Sequence, residues 1–282
     1  MSSAEFAAPQ SPDRIQGSRR EFLRGNLYAL AGAFLQQWRN ARRTASYASF
    51  IIAGIPNVVI LAWIARRSDN PAAITYIALG SSLMLVWTNA VFRVGWSLSE
   101  EKWGGLLDVS LVSRTPIVVS MLGKALALSF FSLLTGAGAF AVILIASGRT
   151  VPVENLPFAL VSLAVTLFVM ICAGFIFCPI TVLVGEPSGL FATVMPFGVV
   201  LSGFLYPINL LPTALQVIAR GLPTSWAMEA SIMATTGNGS MWDIVIKWAI
   251  ALGLAVVYLV ATHFLFRVVE RRVRVTAALM TF

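Results

Sequence analysis

The chain has 282 residues, of which 58% are hydrophobic and only 11% charged, and its formal net charge is +8. Soluble globular domains are about 25% charged, so this composition excludes a soluble enzyme, and its hydrophobicity excludes a disordered chain. A membrane-spanning helix needs about 20 apolar residues. The sequence therefore predicts an all-α integral membrane protein with six transmembrane helices.

The N-terminal part is polar up to the first long apolar run, which begins near Ser46. Residues 1–16 are predicted to be a disordered cytoplasmic lead, and no cleavable signal peptide is recognised. Residues 17–45 are predicted to form an amphipathic helix, because apolar side chains recur every three or four residues at Leu23, Leu27, Leu30, Phe34 and Trp38. Arginines at both ends of this stripe indicate an interfacial helix in contact with membrane lipid. The alternative is a helix that packs on another cytoplasmic protein.

Six apolar segments follow in residues 46–282. The predicted spans are residues 47–65, 74–92, 125–147, 156–184, 190–211 and 244–266, with Pro196 and Pro207 interrupting the fifth. When the N-terminus is placed inside, 15 of the 20 Lys and Arg residues fall on the cytoplasmic side. The positive-inside rule therefore predicts both termini in the cytoplasm, in a bacterial-type cytoplasmic (inner) membrane. The basic excess is an orientation signal, and no nucleic-acid partner is predicted.

The chemistry available to the chain is limited. The predicted spans contain no Asp or Glu and a single histidine, His263, which argues against ion-coupled transport. No catalytic constellation, metal-ligand motif or G-x-x-x-x-G-K-[ST] phosphate loop is present in the sequence. We therefore predict no catalytic residues, no metal and no cofactor in this chain. Uphill transport would draw its energy from another polypeptide.

The loop between the second and third predicted spans has an unusual pattern. Residues 97–124 read SLSEEKWGGLLDVSLVSRTPIVVSMLGK. Acidic residues precede a glycine pair, and a short apolar-faced helix then stops before Pro116, because proline disfavours helix in the residue before it. We predict a cytoplasmic helix over about residues 99–115 that docks into a groove of a soluble partner. The alternative is an ordinary loop.

This acidic–basic–Gly–Leu…Pro…Gly–Lys pattern resembles the transmembrane subunit of ATP-binding cassette (ABC) type-2 transporters, the permeases of drug, lipid and polysaccharide exporters. The resemblance implies a coupling helix that contacts the nucleotide-binding ATPase subunit. The matching positions are Glu100, Glu101, Lys102, Gly105, Leu106, Leu107 and Pro116, followed by Gly123 and Lys124. ATP and Mg would be bound by that partner. The family usually has Thr after the glycine and Glu after the leucine, where this chain has a second glycine and Leu107–Asp108.

A second match follows the fifth predicted span. Residues 201–230 resemble the family's S-G-x-x-[FY]-P…L-P…[LP]-P stretch through Ser202, Gly203, Tyr206, Pro207, Pro212 and Pro223. The resemblance implies short re-entrant helices, over about residues 204–236, that cap the extracellular side of the pathway. Prolines break a continuous span, and non-helical backbone persists at membrane depth only inside protein or along a cavity. The alternative is a plain external loop.

Together these features lead to the hypothesis of an ABC exporter permease. It would move an amphiphilic drug-like, lipid or lipid-linked substrate out of the cytoplasm or inner leaflet. Its partners would be two copies of the ATPase subunit and a second permease copy or a paralogous permease. The sequence assigns no substrate-binding residues. The alternatives are a polysaccharide or glycolipid exporter permease, a non-transporting membrane scaffold subunit, and a membrane-bound enzyme without a recognisable site.

Overall fold

A computed structural model describes residues 19–43, 45–68, 70–103, 105, 117–148, 155–184 and 187–280, and within these ranges the chain is helical, without β-strands. The helices are α1 Arg19–Arg43, α2 Ala45–Arg67, α3 Pro71–Trp103, α4 Ile117–Ser147, α5 Leu156–Phe175, α6 Phe177–Val184, α7 Pro187–Leu201, the short 3₁₀ helix η1 Ile208–Leu210, α8 Thr213–Arg220, α9 Pro223–Thr236 and α10 Met241–Met280.

Four stretches of the described residues are long and apolar enough to cross a membrane: Ala72–Ser97, Val118–Ser147, Leu156–Thr181 and Met241–Val269. They confirm the prediction of an all-α, multi-pass membrane protein. Two further helices coincide with predicted spans, α2 with the first and α7 with the fifth. The 15 residues of α7 extend over about 22 Å, which is less than the hydrocarbon core of about 30 Å. Six spans and their orientation stay predictions.

Two predicted spans differ from the observed helices. The fourth, predicted to be continuous over 156–184, is broken by a turn at Ile176. Pro179 lacks an N–H, and its ring crowds the carbonyl four residues earlier, at Phe175, where α5 ends. The fifth was predicted to reach residue 211, but α7 passes through Pro196 and ends at Leu201. Gly203, with φ 74°, then turns the chain out of the helical direction.

The centre of the bundle is α3. It packs against α2 and α4 on one side and against α5, α6, α7 and α9 on the others. Lipid tails are as apolar as a leucine side chain, so the hydrophobic effect does not drive helices together inside a membrane. Membrane helices associate instead through close packing at small residues. At Gly136 of α4, an added Cβ would lie 2.5 Å from Val86 Cγ2 and 2.9 Å from the Ser82 carbonyl oxygen of α3. Only glycine therefore fits at this position, and it allows α3 and α4 to pack closely.

Within the predicted amphipathic segment 17–45, α1 occupies Arg19–Arg43 and packs along the first half of α4. A Cβ added at Gly123 would lie 2.5 Å from the Leu30 carbonyl oxygen. Eight residues further along both helices, the Trp38 ring stacks on Phe131 with ring centroids 4.4 Å apart. The constant offset shows that α1 and α4 run side by side in the same direction.

The apolar stripe of α1 faces α4. It contains buried Ala33 and the half-buried Leu30, Phe34 and Trp38, with buried Gln37 beside them. Leu27 is in line with this stripe but is 64% exposed. The other side of the helix is exposed and mixed, with Tyr28 and Leu35 at 78% and 51% exposure and Arg39 one turn beyond Leu35. The side chain of Leu23, the first residue of the predicted stripe, lies outside the described residues.

Candidate functional site

The predicted coupling segment is described at its first residues and at Gly105. Glu100, Glu101 and Lys102 belong to the last turn of α3, which ends at Trp103, so they close a membrane helix instead of opening a separate one. Gly105 is exposed and has φ 67°, a left-handed conformation typical of a helix C-terminus. α3 therefore stops before this glycine, and the coupling helix predicted over about residues 99–115 stays a prediction beyond it. Leu106, Leu107 and Pro116 lie outside the described residues.

Residues 202–240, named here the cap, close the end of the bundle at which α3 begins. Two contacts fix the cap to α3, and a third holds the cap itself together. The Tyr76 hydroxyl of α3 donates a hydrogen bond to the Gly203 carbonyl. Ser202 Oγ and Thr224 Oγ1 are hydrogen-bonded at 2.7 Å, and both residues are buried. A Cβ on Gly80 of α3 would collide with the Phe204 carbonyl oxygen. The cap backbone therefore rests directly on α3.

The predicted cap prolines each stand at the start of a short element. Pro207 precedes η1, Pro212 precedes α8, and Pro223 is the first residue of α9. At the start of a helix the backbone N–H groups have no partner within the helix, so the N–H that proline lacks is not needed there. Tyr206 is half-buried and packs on the cluster of Ile208, Leu211 and Ala219. The prolines thus divide the segment into short helices. The interruption predicted at Pro196 is wrong, because α7 continues through that residue.

Sequence reasoning missed an ion pair at the edge of the cap. Lys247 of α10 donates to the Glu229 carboxylate of α9, and the two side chains are 19% and 24% exposed. The Trp226 ring lies between two cations, with Arg220 Cζ 4.9 Å and Lys247 Nζ 5.3 Å from its centroid. Cation–π contacts of this length are favourable. The one available signal was that Glu229 is the single acidic residue between positions 187 and 242.

A cavity of about 450 Å³ lies between the cap, the first turn of α3 and the start of α10. Three of the predicted cap residues line it, namely Ser202, Gly203 and Pro207, together with the newly found Glu229 and Lys247. The structure therefore brings the predicted cap residues together with a charged pair. Such a lining can hydrate or bind the polar part of a molecule. No group of three or more His, Cys, Asp or Glu side chains that could hold a metal occurs among the described residues.

The comparisons with known proteins agree with this architecture. The sequence model of the family described as ABC-2 family transporter protein matches residues 27–264. The match begins in α1, ends in α10 and includes both the predicted coupling segment and the cap. No curated protein matches the chain at a significant level. A family match over this much of the sequence decides the membership: the chain belongs to the ABC-2 family of transporter proteins.

Proposed function

We propose that this chain is the membrane-spanning permease of an ATP-driven exporter that moves an amphiphilic drug-like, lipid or lipid-linked molecule out of the cytoplasm or inner leaflet. Family membership makes it a permease subunit of an ABC transporter and not itself the ATPase. In the proposal, ATP and Mg are bound by a separate nucleotide-binding subunit. Nucleotide binding there biases the permease between two conformations, because a ligand shifts an equilibrium only through its different affinity for the two states.

The observation that carries the proposal is the difference between the two ends of the bundle. At one end the cap closes over a polar cavity that contains Glu229 and Lys247. At the other end α3 continues past residue 97, where the apolar stretch stops, to the charged turn of Glu100, Glu101 and Lys102. A barrier at one end and a charged helical tip at the other are what a permease moved by a partner ATPase requires.

The proposed assembly contains two permease copies, or this chain with a paralogous permease, and two ATPase copies in a bacterial-type inner membrane. The centre of the single bundle supports this arrangement, because large buried side chains fill it. Trp87 and Phe204, with ring centroids 6.3 Å apart, pack there with Met170 and Met228. A pathway wide enough for an amphiphile is therefore proposed to lie between two copies instead of through one.

The experiment that tests the proposal is purification of the tagged chain with its ATPase subunit, followed by reconstitution into liposomes. We expect stoichiometric recovery of a Walker-motif ATPase and ATP-dependent movement of a fluorescent lipid or amphiphilic dye in the export direction. An ATPase subunit with its phosphate-loop lysine replaced is the control and should abolish movement. Failure to recover any ATPase, or movement that is independent of ATP, would contradict the proposal.

A further inference from the structure

A second cavity, of about 640 Å³, lies between α2, α3 and α4 and is named here the lateral groove. Most of its described lining is apolar, including Val58 and Val59 of α2 and Ala139 and Val142 of α4. Val59 and Val142 keep 55% and 48% of their surface exposed. In a helix bundle that crosses a membrane, apolar side chains exposed in this way face lipid tails. The lateral groove is therefore open to the lipid.

Polar side chains of α3 are collected in one part of the lateral groove. Asn89 and Arg93 both line it, and because they are four residues apart they share one face of α3. Asn89 is 6% exposed and makes no hydrogen bond with any residue that the structure describes. Nearly all buried polar side chains have a hydrogen-bond partner. The amide of Asn89 is therefore available to a polar group of a ligand in the groove.

The groove extends inward from Arg93. Contacts of Gly136 with Ser82 and of Met121 with Ser97 show that α3 and α4 run in opposite directions. Arg93 consequently lies beside the first third of the apolar stretch Val118–Ser147. That stretch exceeds the hydrocarbon core by about 15 Å, so Arg93 is placed near the edge of the core. The α4 lining begins deeper, at Phe131, and continues for about 16 Å to Val142.

We propose that the lateral groove binds one acyl chain of an anionic phospholipid, with the lipid phosphate at Arg93 and Asn89. The guanidinium group offers several N–H donors in a planar arrangement that matches phosphate oxygens, and the Asn89 amide adds another donor. The apolar walls then enclose the acyl chain as it extends inward from Arg93. This binding depends on the chain being in a membrane and does not depend on transport. It can therefore be tested separately from the proposed exporter function.

The test uses the full chain in phosphatidylcholine nanodiscs that contain a small fraction of a phospholipid with a photoreactive diazirine in its acyl chain. One sample carries a phosphatidylglycerol probe and the other the matching phosphatidylcholine probe. After illumination, mass spectrometry locates the adducts. We expect phosphatidylglycerol to label groove residues of α2 and α4 about tenfold more than phosphatidylcholine. Both lipids carry the phosphate, but the choline cation of phosphatidylcholine repels the Arg93 guanidinium. Equal labelling by the two probes would overturn the proposal and identify ordinary boundary lipid.

Three variants sharpen the test. Arg93→Gln should lose the tenfold preference for phosphatidylglycerol, whereas Arg93→Lys should keep most of it. Gly138 lines the groove and a Cβ there would contact nothing within 4 Å, so Gly138→Phe should fill the groove and remove labelling by both probes. Gly253→Phe, at an equally open and exposed position of α10, is the matched control and should change nothing. Unchanged labelling in both Arg93→Gln and Gly138→Phe would overturn the site.

Competition keeps the proposal testable if Arg93→Gln does not fold. Unlabelled phosphatidylglycerol added to the wild-type nanodiscs should displace the anionic probe from the groove, and the same amount of unlabelled phosphatidylcholine should not. Equal displacement by both lipids would contradict a site that prefers an anionic headgroup.

Discussion

The side chain of Lys247 reaches from the start of α10 to the Glu229 carboxylate on α9 and ties the cap to the longest helix of the described chain. Neither side chain is more than a quarter exposed, so removal of one leaves the other charge poorly hydrated. An exposed ion pair contributes about 0–1 kcal/mol to the free energy of unfolding, and breaking a fully buried ion pair costs about 3–5 kcal/mol. The effect of a half-buried pair lies between these two values.

For this ion pair, we expect Glu229→Gln and Lys247→Met each to lower the free energy of unfolding by about 1–3 kcal/mol. The double variant should lose less than the sum of the two, because it leaves no unpaired charge. Thermal unfolding of the purified full chain in detergent measures all three. Additive losses in the double variant would show that the two charges act independently.

The close contact of Gly80 with the cap predicts that alanine substitution has opposite effects on stability at two glycines. Gly80→Ala places a Cβ against the Phe204 carbonyl oxygen, and backbone atoms cannot move aside as a flexible side chain would. We expect a loss of about 1–3 kcal/mol, typical of overpacking, and faster proteolysis within the cap. The control Gly253→Ala meets no atom within 4 Å and should stabilise α10 by about 0.5–1 kcal/mol. Equal effects at the two positions would contradict the close cap contact.

The exposed side chains of α1 predict where this helix meets the membrane. If Leu27 and Leu35 contact lipid beside α4, an environment-sensitive fluorophore on Leu27→Cys or Leu35→Cys should emit at shorter wavelength than one on Gln36→Cys. The emission should also be quenched by brominated lipid. The native Cys172 and Cys178 are buried and are replaced by Ala for this measurement. Identical spectra at positions 35 and 36 would place α1 away from the membrane surface.

The coupling segment predicts separate effects on assembly and on transport. In the proposed docking, Leu106 and Leu107 are the anchors in the ATPase groove, at about 1.5–3 kcal/mol each, so Leu106→Ala/Leu107→Ala should lower ATPase recovery by about 100-fold or more. Glu101→Ala should retain assembly but lose transport-linked ATP hydrolysis. The control is Leu205→Ala/Leu210→Ala, a pair of exposed leucines in the cap. Full recovery and full transport in both test variants would show that this segment is an ordinary loop.

Orientation is tested by thiol labelling in intact cells. The charge asymmetry predicts that a membrane-impermeant reagent labels Asn238→Cys, an exposed cap position, without permeabilisation. Glu101→Cys should react only after the membrane is opened. Labelling of position 101 from outside would reverse the predicted topology.

Much of the fold could be predicted because apolar length and proline position act locally. The helical interruptions at Pro207, Pro212 and Pro223 follow from a missing N–H at each residue, and the bounds of α1 follow from a periodic stripe flanked by arginines. The break at Ile176 was predictable by the same rule, from Pro179. An apolar stripe does not reveal which helix it packs against. Trp38 packs on Phe131, 93 positions later in the chain, and no local pattern indicates that contact.

The candidate site was predictable only in part for the same reason. Ser202, Gly203 and Pro207 carry a recognisable motif, and they do line the cavity under the cap. Tyr76, which donates to the Gly203 carbonyl, lies 127 residues earlier in the chain, and no motif connects it with the cap. The pairing of Glu229 with Lys247 depends on how α9 packs against α10, which composition does not determine.

The continuity of α3 has a thermodynamic consequence for the whole molecule. Its 33 residues extend over about 50 Å, and proline, the commonest cause of a sharp kink, occurs only at its first position. Tyr76 near one end holds the cap, while Glu101 near the other lies where a partner would dock. Two events coupled through one element must influence each other equally. Whatever a docked partner does to the affinity of the cap cavity for a molecule, that molecule does by the same factor to the affinity for the partner.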